Sequence, residues 1–208
     1  MTYPIFNPTN ITRSLSRRQI VLGGALAGLF SALGLSGRLT SSASATSPSA
    51  AANDATILNK ALYYEHQAIW AYSFAASRLS DTEVGRAVKA LALRNQADHR
   101  AHRDALAKTV QGLGAMPVTA DSSYDVSSYL QKGEGNLDSD VNIAKLALAL
   151  EVDAAIAYTQ EISQLKTPAL VTVGASIGAD EAAHATAIRS AFVAFPWFPL
   201  PLLAQQLD

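Results

Sequence analysis

The stretch Asp180-Glu181-Ala182-Ala183-His184 decides how this chain is interpreted, because it places ionisable groups where a helix would bury leucines. Apolar residues recur around it at helical intervals, at Ile177 and Ile188, and Glu181 and His184 share their face. A carboxylate and an imidazole one turn apart can bind one metal ion or flank two. Alone the motif is weak, since Glu and His at this spacing are common on helix surfaces.

A second stretch, Asp98-His99-Arg100-Ala101-His102, repeats this pattern earlier in the chain. The helical stripe that includes Val88 and Leu106 places His102 near its centre and His99 towards its edge, whereas Gln96 points away. A histidine on an apolar face is usually a hydrogen-bonded core residue. Two histidines at this spacing, matched by a similar Glu and His elsewhere, favour a ligand role instead.

Two further acids complete the pattern. Counted from the predicted hairpin turns, Glu65 and Glu151 fall at nearly the depth of the two stretches above, with Glu65 inward and Glu151 nearer the edge of its stripe. Glu161 is a weaker alternative, and His66 points elsewhere, as a surface or interface residue. Ionisable groups buried together need a compensating cation or neutralisation. A metal site is the simplest interpretation, and a water-filled polar network with protonated acids is the alternative.

Helical periodicity extends over four long segments, and no strand-like alternation competes with it. These predicted helices span about 55–79, 82–112, 139–164 and 167–194, with Asp81, Ser139 or Asp140, and Thr167-Pro168 at their starts. Only the connection 113–138 is long. Two antiparallel helical hairpins joined by one long crossover are typical of ferritin-like bundles, so we predict an all-α, ferritin-like four-helix bundle. A metal-free bundle with the same connectivity remains the alternative.

Three stretches resemble the ferritin-like superfamily, and in particular an exported ferritin-like domain family of bacteria: residues 61–72, 99–106 and 180–184. The resemblance covers about residues 54–196. It implies a di-metal site that takes one Glu from each of two helices and a Glu-x-x-His from each of the others. Glu65, Glu151, Glu181 and His184 match this set, and His102 takes the second histidine position. His99 departs from the pattern, because a glutamate is expected there.

The expected ligand set is therefore three carboxylates and three imidazoles, contributed by Glu65, His99, His102, Glu151, Glu181 and His184. Imidazole suits several transition metals and carboxylate suits manganese and iron, so we expect one or two Fe or Mn ions, with a single zinc left open. The first functional hypothesis is a metal-binding redox protein, an oxidoreductase acting on dioxygen or a peroxide. The alternatives are a metal-free binding or stress-protection module and an interaction protein that uses the apolar tail from Phe195 to Leu203. Tyr64, Tyr72 and Tyr158 are expected either to pack or to contact the ligands.

The N-terminus has the three-part layout of a signal peptide. Ser16-Arg17-Arg18 precedes an apolar run from Ile20 to Leu35, and Ala43-Ser44-Ala45 offers a cleavage site. The run is shorter than a spanning helix requires, so we expect cleavage after Ala45 and no permanent membrane anchor. The paired arginines resemble the twin-arginine signal, which predicts periplasmic export of a folded protein. An ordinary secretory signal is the alternative. The predicted organisation is residues 1–45 as signal peptide, 46–53 as flexible linker, 54–196 as bundle and 197–208 as tail.

The amino-acid composition excludes several kinds of site and partner. The 208 residues include no cysteine, which excludes disulfides and thiolate metal ligands. A formal net charge of −1 and an isoelectric point of about 6.4 offer no basic surface for nucleic acid. The expected partners are therefore metal ions and a small oxidant, and the sequence is compatible with a homo-oligomer.

Overall fold

The computed structural model describes residues 47–133 and 135–194, and these ranges contain α-helices and no β-strand. The helices in chain order are α1 (Pro48–Ala76), α2 (Glu83–Gly112), α3 (Ser127–Gln131), α4 (Asp140–Ile162) and α5 (Pro168–Ala194). The four long helices confirm the predicted all-α bundle. No helix among the described residues combines the length and apolarity that a membrane span requires. The predicted signal peptide and C-terminal tail lie outside the described residues.

The connections divide the long helices into two hairpins. Residues 77–82 join α1 to α2 and residues 163–167 join α4 to α5, so each pair packs along its length. Residues 113–139 form the long crossover, which includes the short helix α3. Gly114 and Gly133 adopt positive φ values of 80° and 75°, which turn the crossover away from α2 and α3. This connectivity is the one predicted from the loop lengths.

The prediction of a flexible linker over residues 46–53 is wrong for most of its length, because α1 already begins at Pro48. Ser47 is the N-cap, and its Oγ accepts a hydrogen bond of 3.3 Å from the backbone N–H of Ala50. Proline is favoured at the first helical position, and the alanines that follow have the highest helix propensity. A stretch without large apolar groups therefore extends α1 by two turns.

Asp54 connects the start of α1 to the second hairpin. It is fully buried, and its carboxylate accepts hydrogen bonds from the backbone N–H groups of Lys166 (2.8 Å) and Thr167 (3.0 Å). These donors lie just before α5, where N–H groups have no partner within the helix. The side chain of Asn53 adds a hydrogen bond to the carbonyl of Gln164. One acid therefore fixes where the second hairpin turns relative to α1.

A matching contact forms at the other end of the bundle. The carboxylate of Asp140 accepts hydrogen bonds from the backbone N–H and the hydroxyl of Ser80, at 2.8 and 2.6 Å. The N-cap of α2 is Thr82 and not Asp81 as predicted, because the Thr82 hydroxyl accepts from the N–H of Gly85. A side chain at Gly85 would collide with the Ser80 carbonyl and lie 2.9 Å from the Asp140 carboxylate. The tight turn before α2 and the approach of Asp140 therefore require glycine there.

Apolar side chains form two layers above and below the middle of the bundle. One layer is a buried cluster of Val88, Ala144, Leu148, Ala185, Ile188 and Phe192. Towards the opposite end, the buried side chains are Leu58, Leu62, Leu106, Val110, Leu170 and Val173. The predicted ligand residues lie between these layers on every long helix. The ionisable groups are therefore enclosed by apolar packing on both sides, which excludes water and strengthens the interactions among them.

Candidate metal centre

The structure brings all six predicted ligand side chains together in the middle of the bundle, each no more than 5% exposed. Their ligand atoms form two overlapping groups, and within each group the atoms lie within 4.8 Å of one another. The first group is Glu65, His99, His102 and Glu181, and the second is His99, Glu151, Glu181 and His184. Glu151 and His99, which the helical stripes placed near an edge, are as buried as the others.

The first group surrounds Glu65. His99 Nδ1 lies 2.8 Å from Glu65 Oε2, and His102 Nδ1 lies 3.7 Å from the same oxygen. Glu181 presents Oε1 to this group, at 3.2 Å from His102 Nδ1 and 3.7 Å from His99 Nδ1. Two carboxylates and two imidazoles therefore face one small volume.

The second group surrounds Glu151. Its Oε1 lies 3.3 Å from His99 Nε2, and its Oε2 lies 3.4 Å from His184 Nδ1. Glu181 presents its other oxygen, Oε2, to His184 Nδ1 at 3.7 Å. His99 and Glu181 therefore face both groups, each with a different atom turned to each side. Glu181 could thus offer one oxygen to each of two adjacent ions, whereas His99, which in its neutral form has one free lone pair, could ligate either ion but not both.

Two aspartates orient the outer nitrogens of the histidines. The Nε2 atoms of His102 and His184 lie 3.3 Å from carboxylate oxygens of Asp180 and Asp98, respectively. A carboxylate only accepts hydrogen bonds, so Nε2 carries the donated proton in each imidazole. Nδ1 of the neutral ring is then left with its lone pair directed at the centre. A carboxylate behind a ligating histidine typically fixes ring orientation and raises ligand basicity.

Two tyrosines each donate a hydrogen bond to one oxygen of a buried glutamate. The phenol of Tyr158 donates a hydrogen bond of 2.5 Å to Glu65 Oε1, and the phenol of Tyr72 donates a short one to Glu151 Oε1. Asn95 in turn donates to the Tyr72 oxygen at 3.0 Å. Of the two roles that the sequence left open, contact with the ligands is therefore the one that the structure gives these two tyrosines. The hydroxyl of Tyr64 instead donates a hydrogen bond of 3.4 Å to Glu161 Oε1.

No role is predicted from the sequence for Asp98 or Asp180, although both occupy equivalent positions in the two ligand stretches. Each directly precedes the first residue of a ligand pair, His99 or Glu181. Each tyrosine likewise follows its own helix's glutamate by seven residues and contacts the glutamate of the other hairpin. The two hairpins thus repeat one pattern, and its contacts cross between them. The ligand pattern of the two hairpins differs at one position, where the first hairpin has His99 and the second has Glu181.

The carboxylates control the protonation of the imidazoles. Burial alone would lower the pKa of each histidine, because it penalises the charged form. The carboxylates that face the rings reverse this effect. The pKa of His102 is raised to about 12, with Asp180 the strongest partner, and that of His184 to about 9, with Glu151 the strongest. The pKa of His99 is also raised well above its ordinary value.

The imidazoles act on the carboxylates in the opposite direction. Burial would raise the pKa of each carboxyl group, but His102 and His99 overcome it at Glu65 and lower that pKa to about 2. The pKa of Glu151 is also lowered, against burial, chiefly by contact with His184. At Glu181 burial prevails and the pKa is raised. Without an ion, protonated imidazoles therefore neutralise the buried carboxylates.

Several atoms that face the centre lack a hydrogen-bond partner among the described residues. They are His102 Nδ1, Glu151 Oε2, both oxygens of Glu181 and His184 Nδ1. Buried polar atoms are rarely left in this condition, because each costs about 1–3 kcal/mol. Ligand atoms around an ion with bonds of about 2.1 Å lie no more than about 4.2 Å apart, so the groups need only a small contraction. The donor set is therefore compatible with metal binding.

The remaining sequence candidates lie outside both groups. Glu161 pairs with Lys60 at 2.7 Å, and His66 Nε2 lies 3.2 Å from the carbonyl of Val118 in the crossover. Gln96 is buried, but its amide donates to the carbonyl of Ile69 at 2.8 Å and to the Ser73 hydroxyl, away from the centre. The expectations for Gln96 and His66 agree with these contacts.

Comparison with known proteins supports the fold. No curated protein matches the chain significantly. Among solved structures, the chain is similar to a conserved hypothetical protein from Mycobacterium tuberculosis, known from a crystal structure, with 25% identity and a TM-score of 0.58. The match covers 71% of this chain and 95% of that one. A family model described as the ferritin-like domain matches residues 53–194, which include every residue of the two groups and both tyrosines. The chain therefore belongs to the ferritin-like domain family.

Proposed function

We propose that this protein is an exported ferritin-like metal-binding protein whose centre holds two Fe or Mn ions and reacts with dioxygen or a peroxide. The observation that carries the proposal is the pair of overlapping ligand groups, in which His99 and Glu181 each turn a different atom to each group. The unpartnered nitrogen and oxygen atoms that face the same volume support it.

The residues of the centre have different roles in this proposal. Glu65 with His102, and Glu151 with His184, would each hold one ion from opposite hairpins. Glu181 would offer one oxygen to each ion, and neutral His99, with one lone pair, would ligate one of the two. When bound, such ions supply redox chemistry and polarise an oxygen-containing substrate. The phenols of Tyr158 and Tyr72 donate to Oε1 of Glu65 and of Glu151, so Oε2 of each carboxylate remains available to an ion. The apolar layers exclude bulk water.

The donor types support iron or manganese. Oxygen donors favour manganese and iron, while imidazole suits iron, zinc and copper, so a mixed set suits iron best and manganese next. Three carboxylates leave two divalent ions with a residual positive charge. A single zinc bound by one of the two groups is the competing metal assignment, and the number of ions per chain distinguishes it.

The proposal of export depends on the sequence alone. Paired arginines before a weakly apolar segment and an Ala-x-Ala site are features of twin-arginine signals, and that route carries folded proteins. A protein exported in this way can acquire its metal in the cytoplasm, where the cell controls which ions are available. Removing residues 1–45 also removes four arginines and no acids, so the mature chain would be mildly acidic.

The test is metal analysis of protein produced without an affinity tag and purified from the exported fraction. We expect close to two ions of Fe or Mn per chain, measured by elemental mass spectrometry, and loss of at least one ion when Glu181 is changed to Gln. Glu161→Gln is the matched control, because Glu161 is buried on the same bundle but lies outside both groups. Wild-type protein that binds no ion when supplied with Fe(II) or Mn(II) would contradict the proposal.

One observation favours a second candidate, a metal-free ferritin-like module with a binding or stress-protection role. Three imidazoles with raised pKa values and two carboxylates with lowered ones already compensate one another's charge. Such a network is stable without an ion. The same metal analysis decides between the candidates, since the second predicts a stoichiometry of zero at neutral pH.

A further inference from the structure

A cavity of about 230 Å3 lies between α1 and α4, beneath the crossover. Its inner end is formed by Tyr72, His99 and Glu151, which belong to the candidate metal centre or contact it. Val126, Tyr129 and Leu137 of the crossover cover its outer side. The cavity therefore leads from the surface of the bundle to the second ligand group.

Small residues at repeated positions create this space. On α1 and on α4, an alanine follows the ligand glutamate by three residues and another follows it by six, and all four line the cavity: Ala68, Ala71, Ala154 and Ala157. A packed bundle core would carry larger side chains at facing positions, since cavities weaken dispersion contacts and cost stability. The sequence of each hairpin therefore places alanines beside its glutamate, and these small residues leave the space.

The walls determine which molecules fit. Apart from the alanines they are mainly aromatic and aliphatic, with Trp70, Phe74, Leu146 and Leu150 prominent, and no lysine or arginine is among the lining residues. The charged groups are Asp153, which is exposed at the mouth, and the two centre residues at the inner end. The imidazole of His99 is already paired with Glu65 and Glu151, so an anion would meet acids at both ends without a cation left to pair with it, and the lining selects against it.

The volume limits the size of the occupant. An engineered protein cavity of about 150 Å3 holds one benzene molecule, so about 230 Å3 suits a fused bicyclic ring or a chain of roughly eight to ten carbons. We infer that this cavity binds one small, neutral, apolar molecule directly against the metal centre. A role for this molecule as the substrate of the metal centre rests on the proposed function. Its binding to the cavity does not.

Naphthalene is the probe, because it is neutral and has the expected size, and 2-naphthoate is the charged control of similar shape. We expect calorimetric titration of the metal-free full-length chain to show one naphthalene bound per chain, and at least tenfold weaker binding of 2-naphthoate. No detectable binding of naphthalene, or equal binding of both compounds, would overturn the inference.

Variants that fill the cavity test whether naphthalene binds there. Ala154→Phe and the milder Ala68→Leu fill the cavity from opposite walls, and each should weaken naphthalene binding at least tenfold. Ala90→Phe places the same ring on an exposed face of α2 and should leave affinity within twofold of wild type. Helical circular dichroism identifies a variant that has not folded, and Ala68→Leu then carries the test. Unchanged affinity in a folded cavity variant would place the probe elsewhere and overturn the inference.

Mn(II) then separates this inference from the proposed function. In chain loaded with Mn(II), a molecule against the centre should show strongly enhanced proton relaxation in NMR spectra, and metal-free chain should show none. Bound naphthalene without enhancement in loaded chain would overturn the position that we infer. If the chain takes up no Mn(II), the proposed function fails, while naphthalene binding that Ala154→Phe abolishes still supports the cavity as a binding site.

Discussion

The phenol of Tyr158, on α4, donates a 2.5 Å hydrogen bond to Glu65 of α1, so the second hairpin orients a candidate ligand of the first. The reciprocal bond joins Tyr72 of α1 to Glu151 of α4. The aspartates behind His102 and His184 also cross between hairpins. Because every orienting contact spans the interface, the geometry of the centre depends on how the hairpins dock as well as on the ligands themselves.

Tyr158→Phe removes one of these crossing bonds and keeps the ring. Glu65 should then rotate more freely, and Mn(II) affinity should fall about 10- to 100-fold, as is typical when a partner behind a ligand is lost. Competition with a fluorescent chelator measures the change. Tyr63→Phe is the control, since Tyr63 is 39% exposed on the same helix as Glu65. Equal affinity in both variants would show that the crossing bond does not orient the ligand.

The sequence predicts well which ionisable residues are buried together, because their burial follows from helical periodicity. Glu181 and His184 interrupt an apolar stripe, and a stripe fixes which face of a helix is buried. It does not fix how wide that face is. His99 and Glu151 were therefore placed near an edge, although four helices enclose a polar layer broad enough to bury both at 2% exposure.

The orienting residues could not be predicted in the same way. The pairing of Asp98 with His184 depends on the distance and rotation between α2 and α5, which periodicity within one helix does not contain. The start of α1 was missed for a local reason. Low apolar content suggested a linker, but Ser47 and Pro48 form a favourable N-terminus for an alanine-rich helix.

His99 is the residue at which the two hairpins differ, so its substitution tests the ligand role most directly. His99→Glu restores the carboxylate that the family pattern contains and should keep or raise the Mn(II) stoichiometry. His99→Ala should lower it by about one ion per chain, because both groups lose a donor. His66→Ala is the control, since His66 contacts the crossover instead. Equal stoichiometry in all of these proteins would make His99 a bystander.

The raised pKa values predict opposite effects of pH on metal-free and metal-loaded protein. In the metal-free state the folded protein retains protons on His184, with a pKa of about 9, and on His102, with a pKa of about 12. The unfolded chain loses them near about pH 6.5. The free energy of unfolding should therefore fall above that pH, by about 1.4 kcal/mol per pH unit for each retained proton.

Bound metal reverses this dependence, because the ligating imidazoles must be neutral. Between about pH 5.5 and about pH 8, the melting temperature with excess Mn(II) should rise or stay level, while with a chelator it should fall above about pH 6.5. On the acidic side, the pKa of Glu65 at about 2 predicts that the metal-free protein loses stability as pH drops below about 4.5. Parallel curves with metal and with chelator would indicate that Mn(II) does not replace the protons.

Asp54 offers a test of the fold that leaves the centre untouched. Asp54→Ala removes a buried carboxylate and leaves the N–H groups of Lys166 and Thr167 without their partner. Hydrogen bonds to charged groups contribute about 1.5–3 kcal/mol each, so the loss of these two should lower the free energy of urea unfolding by about 3–6 kcal/mol. Asp121→Ala, at an exposed position of the crossover, should change stability by less than about 0.5 kcal/mol. A similar loss of stability in both variants would contradict the role of Asp54 in fixing the second hairpin.

Export is tested by the paired arginines. Replacing Arg17 and Arg18 together with lysine keeps the charge of the segment but removes the guanidinium groups that a twin-arginine receptor distinguishes from ammonium groups. The variant should accumulate in the cytoplasm as precursor, whereas wild-type protein should appear in the exported fraction with an N-terminus near Thr46. Immunoblots of the two fractions and the intact mass of the exported chain measure both effects. Arg13→Lys, outside the pair, is the matched control and should be exported normally. If the double variant is exported as well as wild type, the general secretory route carries this protein, and the metal must then be acquired after export.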